Sequence, residues 1–323
     1  MTTVERPTLQ AVEDARQRIG PFVLRTPLLR LDVESRGCEI YLKPENLQPT
    51  GAFKIRPALN AVLSLSQEQL RRGVCTVSSG NFAYGVAWAA RRLRVPMATY
   101  MYHGALQGKV DAVRRLGGDV RFVSPEQWWR LISEAELPLA SETWIHPALN
   151  AAVLAGNGTM ALEILEDLPD VDSIVAPFGG GSLATGIASA VRGKGHSVKV
   201  IAVESEHATP LSSARAAGHP VSVDVRPCYI QSIGGPSVLA GIWPLAQTLL
   251  DDCVVMSVDD ITEAIRCVFL NARIVVEPAG AAAIAAALSG AAGGGKIVCI
   301  ASGGNIDTQD FIGVLQGRTP TPH

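Results

Sequence analysis

Residues 43 to 56 read KPENLQPTGAFKIR, and the rest of the chain is organised around them. Two prolines and one glycine make the first part irregular, and apolar residues at helical spacing follow Phe53. The turn therefore places Lys54 at the start of a predicted helix. A helix N-terminus repels cations. This repulsion and partial burial favour a neutral amine, which is a nucleophile toward aldehydes. A solvated surface lysine is the simpler interpretation of the stretch alone.

The composition excludes several classes of protein. The chain has 323 residues, a net charge of −2, 47% apolar and 18% charged residues. These values fit a well-packed protein with two compact lobes or one large α/β domain. No basic stripe supports nucleic-acid binding. The N-terminus lacks an apolar signal region and no run is apolar enough to span a membrane, so we expect a cytoplasmic protein without a membrane partner.

Predicted strands and helices alternate along most of the chain. Short apolar strands such as residues 74–77 and 173–177 are each followed by a helical pattern. This alternation predicts parallel strands joined by right-handed crossovers. We therefore predict an α/β fold with two doubly wound open-sheet lobes. Helices are also predicted over residues 57–72 and from Pro125 to Leu137.

Three loops combine glycine with hydroxyl or amide side chains at the ends of predicted strands, where ligands bind in open α/β sheets. They are Ser78-Ser79-Gly80-Asn81, Gly179-Gly180-Gly181-Ser182 and Ser302-Gly303-Gly304-Asn305. Consecutive glycines expose backbone amides, and a following helix favours an anion, so the second loop is a candidate phosphate site. It matches neither a Walker loop nor a dinucleotide-binding fingerprint. A tight turn or a helix cap is the alternative for each loop.

Lys54 and these loops, in this order, resemble the fold-type II enzymes that use pyridoxal 5′-phosphate, specifically the serine/threonine dehydratase and serine racemase group. The resemblance covers nearly the whole chain and includes the motif Glu277-Pro278-Ala279-Gly280-Ala281. It implies a fold like the tryptophan synthase β subunit, with the cofactor between two lobes. The implied large domain comprises residues 1–62 and 151–323, and the implied small mobile domain comprises residues 63–150.

The resemblance also assigns a role to individual residues. Lys54 would hold the cofactor as a Schiff base and then act as general base, with Phe53 beside the ring. Asn81 would bond the ring hydroxyl, and Ser302 would face the pyridine nitrogen. The substrate carboxylate would bind to Ser78, Ser79, Gly80 and Asn81. The phosphate would be bound by Gly179, Gly180, Gly181, Ser182 and Leu183.

The implied activity is an ammonia-lyase (dehydratase) reaction that converts L-serine, L-threonine or a related β-hydroxy amino acid to a 2-oxo acid and ammonia. A serine at position 302 would leave the ring a weaker electron sink than an aspartate would, which suits β-elimination. Relatives are mostly dimers, so a homodimer is implied.

Three other functions stay open. Ser79 keeps a serine or other amino acid racemase open, because racemases of this group use a serine at the matching position as a second acid/base. A capping or carboxylate-binding serine is the alternative there. A threonine synthase-like or β-replacement lyase and a non-catalytic sensor are further possibilities, although an intact Lys54 argues against the sensor.

The sequence departs from its relatives in three places. Glu204 and Ala208 match the spacing of a divalent metal site found in many relatives, but Pro210 replaces the aspartate, so a metal site does not carry over. The loop Gln231–Pro236 replaces the usual Ala-Asp-Gly. The loop Tyr102–Lys109 also differs. The substrate side chain is therefore the part of the function that the resemblance determines least.

Overall fold

The computed structural model describes residues 3–34, 37–134 and 141–322. Its strands are β1 (Leu29–Arg30), β2 (Cys38–Pro44), β3 (Val74–Val77), β4 (Met97–Tyr102), β5 (Asp119–Val123), β6 (Thr143–Trp144), β7 (Ser173–Pro177), β8 (Lys199–Ser205), β9 (Asp252–Met256) and β10 (Gly295–Ala301). Its helices are α1 (Leu9–Ile19), α2 (Ile55–Leu63), α3 (Gln67–Arg71), α4 (Asn81–Leu93), α5 (Gln107–Arg115), α6 (Pro125–Ser133), α7 (Ala151–Asp167), α8 (Ser182–Gly193), α9 (Pro210–Ala217), α10 (Trp243–Leu249), α11 (Val258–Ala272), α12 (Pro278–Ser289) and α13 (Thr308–Leu315).

The strands form two open sheets. One sheet has the order β1-β2-β10-β7-β8-β9, and the other has the order β5-β4-β3-β6. Neighbouring strands are parallel except for β1, which is antiparallel to β2. The α/β fold with two open-sheet lobes is therefore confirmed. In the part of the chain described above, no helix is long and apolar enough to cross a membrane.

Helices cover both faces of the six-stranded sheet. Ile174 and Ala176 of β7 pack into a core with α1, α7 and α8, whereas Val175 between them packs into a core with α11 and α12. The four-stranded sheet is similar, because Val74 of β3 packs with α4 while Val77 packs with α6. A strand buried on both faces requires such apolar residues on either side, which is why these strands read as continuous apolar runs.

The helix predicted over residues 57–72 is wrong as a single element. Helix α2 ends at Leu63, and α3 begins four residues later, at Gln67, with its own cap at Ser66. The Ser66 hydroxyl accepts a bond from the Gln69 amide, and the Gln69 side chain accepts one from the Ser66 amide. This capping box starts a new helix where the apolar pattern alone suggested a continuous one.

Two predictions extend beyond the described residues. The helix predicted from Pro125 to Leu137 begins at Pro125 and ends at Ser133, and residues 135–137 lie outside the described residues. The division into domains of residues 1–62 with 151–323 and of residues 63–150 stays a prediction. It is supported by the strands of the four-stranded sheet, which all lie between Val74 and Trp144.

Helix α2, which begins immediately after Lys54, packs against α7 on one side and α4 on the other. In both contacts a glycine of the neighbouring helix lies against the backbone at or next to the start of α2. A methyl group on Gly156 of α7 would lie 2.6 Å from Pro57 Cα, and one on Gly85 of α4 would lie 2.9 Å from the Lys54 carbonyl oxygen. The backbone that carries Lys54 is therefore enclosed by helices from both parts of the fold.

A network of four buried charges lies beside the first turn of α2. Arg56 Nε lies 2.8 Å from Glu45 Oε2, and its Nη1 lies 2.7 Å from Glu163 Oε1. Lys43 Nζ lies 2.6 Å from Glu163 Oε2. The side chains are 0 to 5% exposed, so each charge depends on its partners for compensation. The network joins β2, α2 and α7 in one arrangement.

We predict that Glu163→Gln destabilises the apoprotein by about 3–5 kcal/mol, because it leaves Lys43 and Arg56 buried with one carboxylate fewer. Urea unfolding measures the loss. The matched control is Glu166→Gln on the same helix, which removes ion pairs with Arg16 and Arg25. Those pairs are half-exposed, so the control is expected to cost about 0–1 kcal/mol. Equal losses of unfolding free energy in the two variants would show that the buried ion pairs stabilise the fold no more than the half-exposed ones do.

Candidate active site

A cavity of about 570 Å³ lies between the two sheets. Residues that follow β7 and β10 of one sheet and β3 of the other line it. Every residue that the sequence predicts to bind cofactor or substrate is in this lining: Phe53, Lys54, Ser78, Ser79, Gly80, Asn81, Gly179, Gly180, Gly181, Ser182, Leu183 and Ser302. The structure thus brings all of them together, while the role of each stays a prediction.

Lys54 is the N-cap of α2 and extends its amine between two aromatic rings. Its Nζ lies 4.6 Å from the ring centroid of Phe53 and 5.7 Å from that of Phe82. Burial lowers the pKa of Lys54 to about 8, against a smaller opposing effect of the Glu277 carboxylate. About a tenth of such an amine is uncharged at pH 7, compared with well under a thousandth for an ordinary lysine. The expectation of a reactive, neutral amine therefore has a physical basis.

Backbone pairing holds Ser302 beside this lysine. The Phe53 amide donates to the Ser302 carbonyl oxygen at 2.9 Å, and the Gly304 amide donates to the Gly51 carbonyl oxygen at 2.9 Å. Ala52 forms an antiparallel bridge with Gly303 between them. Ser302 is 2% exposed, so its position relative to the lysine loop is fixed.

The loop after β7 leaves its backbone accessible at the start of α8. Gly181 has a φ of +83°, which side chains other than glycine rarely adopt. A methyl group on Gly179 would lie 2.3 Å from the Ser232 carbonyl oxygen, whereas one on Gly180 would meet only Ala148, at 3.5 Å, and would otherwise enter the cavity. The space beside Gly180 lies at a helix N-terminus, which suits a phosphate.

Ser182 is bonded to neighbouring segments through both its hydroxyl group and its backbone carbonyl group. The hydroxyl donates to the Pro147 carbonyl oxygen at 3.2 Å, and Asn157 Nδ2 donates to the Ser182 carbonyl oxygen at 2.9 Å. These two bonds fix the first turn of α8 to its neighbours. The Ser182 side chain thus helps to anchor the loop.

The loop between β3 and α4 also presents hydrogen-bond donors to the cavity. The Ser78 hydroxyl oxygen accepts a bond from the Gly80 amide, and the Ser79 hydroxyl oxygen accepts one from the Tyr102 amide, both at 3.3 Å. Each serine can therefore still donate its own hydrogen. Together with the N-terminal amides of α4, these hydroxyl groups form a suitable site for a carboxylate.

Glu277 also lines the cavity, although no sequence pattern predicted a role for it. It is 5% exposed, and its Oε1 accepts a bond from Asn81 Nδ2 at 2.7 Å. Asn305 Nδ2 donates to Asn81 Oδ1 at 2.9 Å, so the Asn81 amide is fixed from both ends. Burial raises the pKa of Glu277, and Lys109 and Lys54 oppose this rise. The only hint in the sequence was an acidic residue placed directly before Pro278, the first residue of α12.

The outer part of the cavity is aromatic and positively charged. Tyr102 and Trp128 are in edge-to-face contact, with ring centroids 5.4 Å apart. Lys109 and Arg226 also line the cavity, and Lys109 Nζ donates to Gln231 Oε1 at 3.0 Å. No motif could have predicted this wall, because its residues come from a strand, two helices and a loop that meet only in the folded chain.

Glu204 is engaged as a helix cap. Its Oε1 accepts a bond from the Leu211 amide at 2.6 Å, and its Oε2 accepts one from the Ser212 amide at 2.9 Å. These amides belong to the first turn of α9, which begins at Pro210, and so have no partner within the helix. Ala208 lies nearby, with its amide bonded to the Ser205 carbonyl oxygen. Among the described residues, no group of three or more His, Cys, Asp or Glu side chains could hold a metal ion.

Comparison with known proteins identifies the family. The profile of the family described as "Pyridoxal-phosphate dependent enzyme" matches residues 19–303, which include Lys54, the first two loops and the first two residues of the third loop. The chain belongs to this family. The predicted family and its cofactor, pyridoxal phosphate, are thereby confirmed.

Individual relatives cover nearly the whole chain of this pyridoxal-phosphate dependent enzyme. L-threonine ammonia-lyase from Thermotoga maritima is 36% identical over 306 residues, which are 93% of this chain and 76% of the relative. Serine racemase from Arabidopsis thaliana is 34% identical over 307 residues, which are 92% of each chain. The structure of maize serine racemase superposes with a TM-score of 0.84 at 30% identity and covers 97% of this chain and 98% of its own.

The cavity residues fit pyridoxal phosphate. Lys54 offers an amine of lowered pKa to the aldehyde, and the loop at Gly180 offers amides without a side chain that would fill the phosphate position. Ser302 offers a neutral hydroxyl group, which can hydrogen bond to a ring nitrogen without holding it protonated. The chemistry of the group and the residues of the cavity therefore match.

We predict that the rate of cofactor uptake by the apoprotein follows the neutral fraction of Lys54. Because the pKa of Lys54 is about 8, the rate should rise about tenfold from pH 6 to pH 7 and level off above pH 9. Stopped-flow absorbance of the lysine-bound cofactor measures it. Lys54→Ala should give no such band, and a rate that keeps rising to pH 10 would indicate an ordinary, solvated lysine.

We also predict that Gly180→Ala weakens cofactor binding by about tenfold, or about 1.4 kcal/mol, because the added methyl group enters the space in front of the loop amides. Titration of the apoprotein with pyridoxal phosphate measures the dissociation constant. Gly313→Ala in α13, where an added methyl group meets nothing within 4 Å, is the matched control and should leave it unchanged. Unchanged binding in Gly180→Ala would place the phosphate elsewhere.

Proposed function

We propose that this enzyme is an ammonia-lyase that converts L-serine, L-threonine or a related β-hydroxy amino acid to a 2-oxo acid and ammonia. The observation that carries the proposal is the Lys54 amine, with its pKa lowered to about 8, in one cavity with the three strand-end loops. Similarity to an L-threonine ammonia-lyase at 36% identity supports it. The cytoplasmic location and the homodimer stay predictions.

Different residues would bind the substrate, remove its α-proton and exclude water. The loop from Ser78 to Asn81 would bind the α-carboxylate through its hydroxyl groups and the N-terminal amides of α4. Lys54, once its amine is free and neutral, would remove the α-proton as general base. The bound cofactor supplies the electron sink for this step. Tyr102 and Trp128 would cover the outer side of the cavity and limit the entry of water.

The neutral group at position 302 favours elimination over competing reactions. A hydroxyl group cannot hold the pyridine nitrogen as a cation, whereas a carboxylate can. The cofactor would then supply a weaker electron sink, which suits direct loss of the β-hydroxyl group from the substrate. Ser302 is held in place by the bond between its carbonyl oxygen and the Phe53 amide.

A racemase is the second candidate, and the position of Ser79 favours it. This residue lines the same cavity as Lys54, and its oxygen accepts a bond from the Tyr102 amide, so its hydrogen is available. Ser79 would return a proton to the α-carbon from the side opposite Lys54. Similarity to serine racemases at 34% identity is consistent with this activity.

We expect the purified holoenzyme to release 2-oxo acid and ammonia in equal amounts from L-serine or L-threonine, and Lys54→Ala to abolish the release. Coupled assays of both products measure it. Failure to release oxo acid from either substrate or from other β-hydroxy amino acids would exclude an ammonia-lyase.

Chiral chromatography of the same reactions distinguishes the racemase. D-amino acid that disappears in Ser79→Ala while oxo acid release persists would assign Ser79 as the second acid/base. Loss of both activities would instead indicate that Ser79 binds the substrate carboxylate.

A further inference from the structure

Seven exposed arginines lie at the edge of the four-stranded sheet that is opposite the cavity. They belong to the ends of three helices: Arg71 and Arg72 of α3, Arg91, Arg92 and Arg94 of α4, and Arg114 and Arg115 of α5. Each group directly precedes a strand, and the three strands are β3, β4 and β5. We call the seven residues the arginine edge. The groups are separated in sequence by a strand and a helix, so no basic stripe is visible until the chain folds.

Strand pairing brings the three helix ends together. Val74, the first residue of β3, is in register with Met97, the first residue of β4, and β5 pairs with the other side of β4. Neighbouring strands are about 4.8 Å apart, so the three turns that precede them are spread over about 10 Å. The ends of α4 and α5 are also in direct contact, since Arg91 Nη1 donates to the Arg115 carbonyl oxygen at 2.8 Å. The arginine edge is therefore one continuous row.

The charges of the arginine edge are not neutralised by neighbouring acids. Within the ranges that the structure describes, none of the seven arginines forms a salt bridge. Asp119 and Glu142 lie at the same ends of the strands, but both are bonded to an eighth arginine, Arg121, at 2.8 and 2.6 Å. Residues 63–150 carry ten lysine and arginine residues against seven acids, whereas the rest of the chain carries 18 against 23. Positive charge is thus concentrated in this part of the chain.

Stabilisation of helix ends does not account for these arginines. The partial negative charge of a helix C-terminus favours a cation, yet α7, α10, α11, α12 and α13 have no basic residue in their last turn. Arg94 has a φ of +57° at the C-cap of α4, where glycine is usual. Arg273 has the same conformation after α11, and its Nη1 donates to the Phe269 carbonyl oxygen at 3.2 Å. The Arg94 side chain forms no such bond with the described residues, so its guanidinium group remains available.

A linear polyanion fits the arginine edge better than a protein surface does. The core of a protein interface is apolar and depleted of charged residues. Among the described residues of 63–150, Phe122 is the one large apolar side chain that is exposed, and its ring already contacts His103 and Arg114. A nucleic-acid duplex carries about one charge per 1.7 Å of its axis, and therefore about six charges over about 10 Å. Seven arginines over that length match this density of charge.

We propose that the arginine edge binds the sugar-phosphate backbone of a nucleic-acid duplex, without preference for its sequence. A guanidinium group can donate two parallel hydrogen bonds to a phosphate, and contacts with phosphates carry no sequence information. The edge lies at the opposite end of β3 from the loop Ser78-Ser79-Gly80-Asn81, so nucleic acid and amino acid bind independently. The inference does not depend on the ammonia-lyase function.

Fluorescence anisotropy of a labelled RNA duplex, titrated with the holoenzyme at several salt concentrations, tests the proposal. We expect a dissociation constant of about 10⁻⁴ to 10⁻⁶ M at physiological salt, and a slope of log K against log salt of about −4 to −6, where K is the association constant. The triple variant Arg72→Gln, Arg94→Gln and Arg115→Gln removes one charge from each turn, and none of these side chains bonds another described residue. Its affinity at low salt should fall about tenfold or more, and its slope should be shallower by about three.

A matched triple variant separates the arginine edge from net charge. Arg16→Gln, Arg25→Gln and Arg266→Gln together change the net charge equally but lie outside the edge. This variant should bind the duplex within about threefold of the unsubstituted protein, because salt screens charges outside the contact. Uptake of pyridoxal phosphate should be the same in both triple variants, which shows that they are folded. Each single substitution in the edge should make the slope shallower by about one, so the test does not require the triple variant to fold.

Two other results would overturn the proposal. The absence of binding at low salt, or an equal loss of affinity in the two triple variants, would show that the arginine edge does not bind nucleic acid. Poly-L-glutamate of the same total charge serves as the competing polyanion. If it binds as tightly as the duplex and loses affinity in the same triple variant, the edge is a site for an acidic protein segment and not for a nucleic acid.

Discussion

The ion pairs of Arg56 with Glu45 and Glu163 are the constraint on which the active site depends. A guanidinium group in a dry interior must keep both carboxylates within hydrogen-bond distance, because neither water nor any other charge can replace them. Arg56 is two residues after Lys54, so this requirement fixes the first turn of α2 and the direction of the amine. The loop from Gly179 to Ser182 and Ser302 then line the cavity around an amine whose position is already set.

Local patterns were sufficient to predict much of this site. The strands at residues 74–77 and 173–177 have the predicted bounds. A short apolar run between turn residues is typical of a buried strand in an α/β fold. The loops that follow them carry Asn81 and Gly180 into one cavity. The carboxyl ends of parallel strands meet at one edge of a sheet, which brings together the loops after β7 and β10. The loop after β3 belongs to the other sheet, and it reaches the same cavity because the two sheets face each other across it.

What the sequence did not predict depends on contacts between distant segments. Glu277 was seen only as part of a motif, because its role comes from the bond to Asn81, which lies 196 residues away. Lys109 and Gln231 are 122 residues apart and belong to the two segments that depart from relatives. The first of these was expected to be a loop, but Lys109 lies in the first turn of α5. Each departure was visible by itself. That they meet across the cavity is a property of the folded chain alone.

The glycine contacts of α2 have a consequence for engineering the enzyme. Gly85 and Gly156 are the points where helices of the two sheets close on the backbone at Lys54 and Pro57. A library that keeps these two positions invariant can vary the cavity wall around Trp128 while the helix contacts on the backbone at Lys54 are retained. The outer wall of the cavity and the backbone that carries Lys54 are thereby separable design variables in this scaffold.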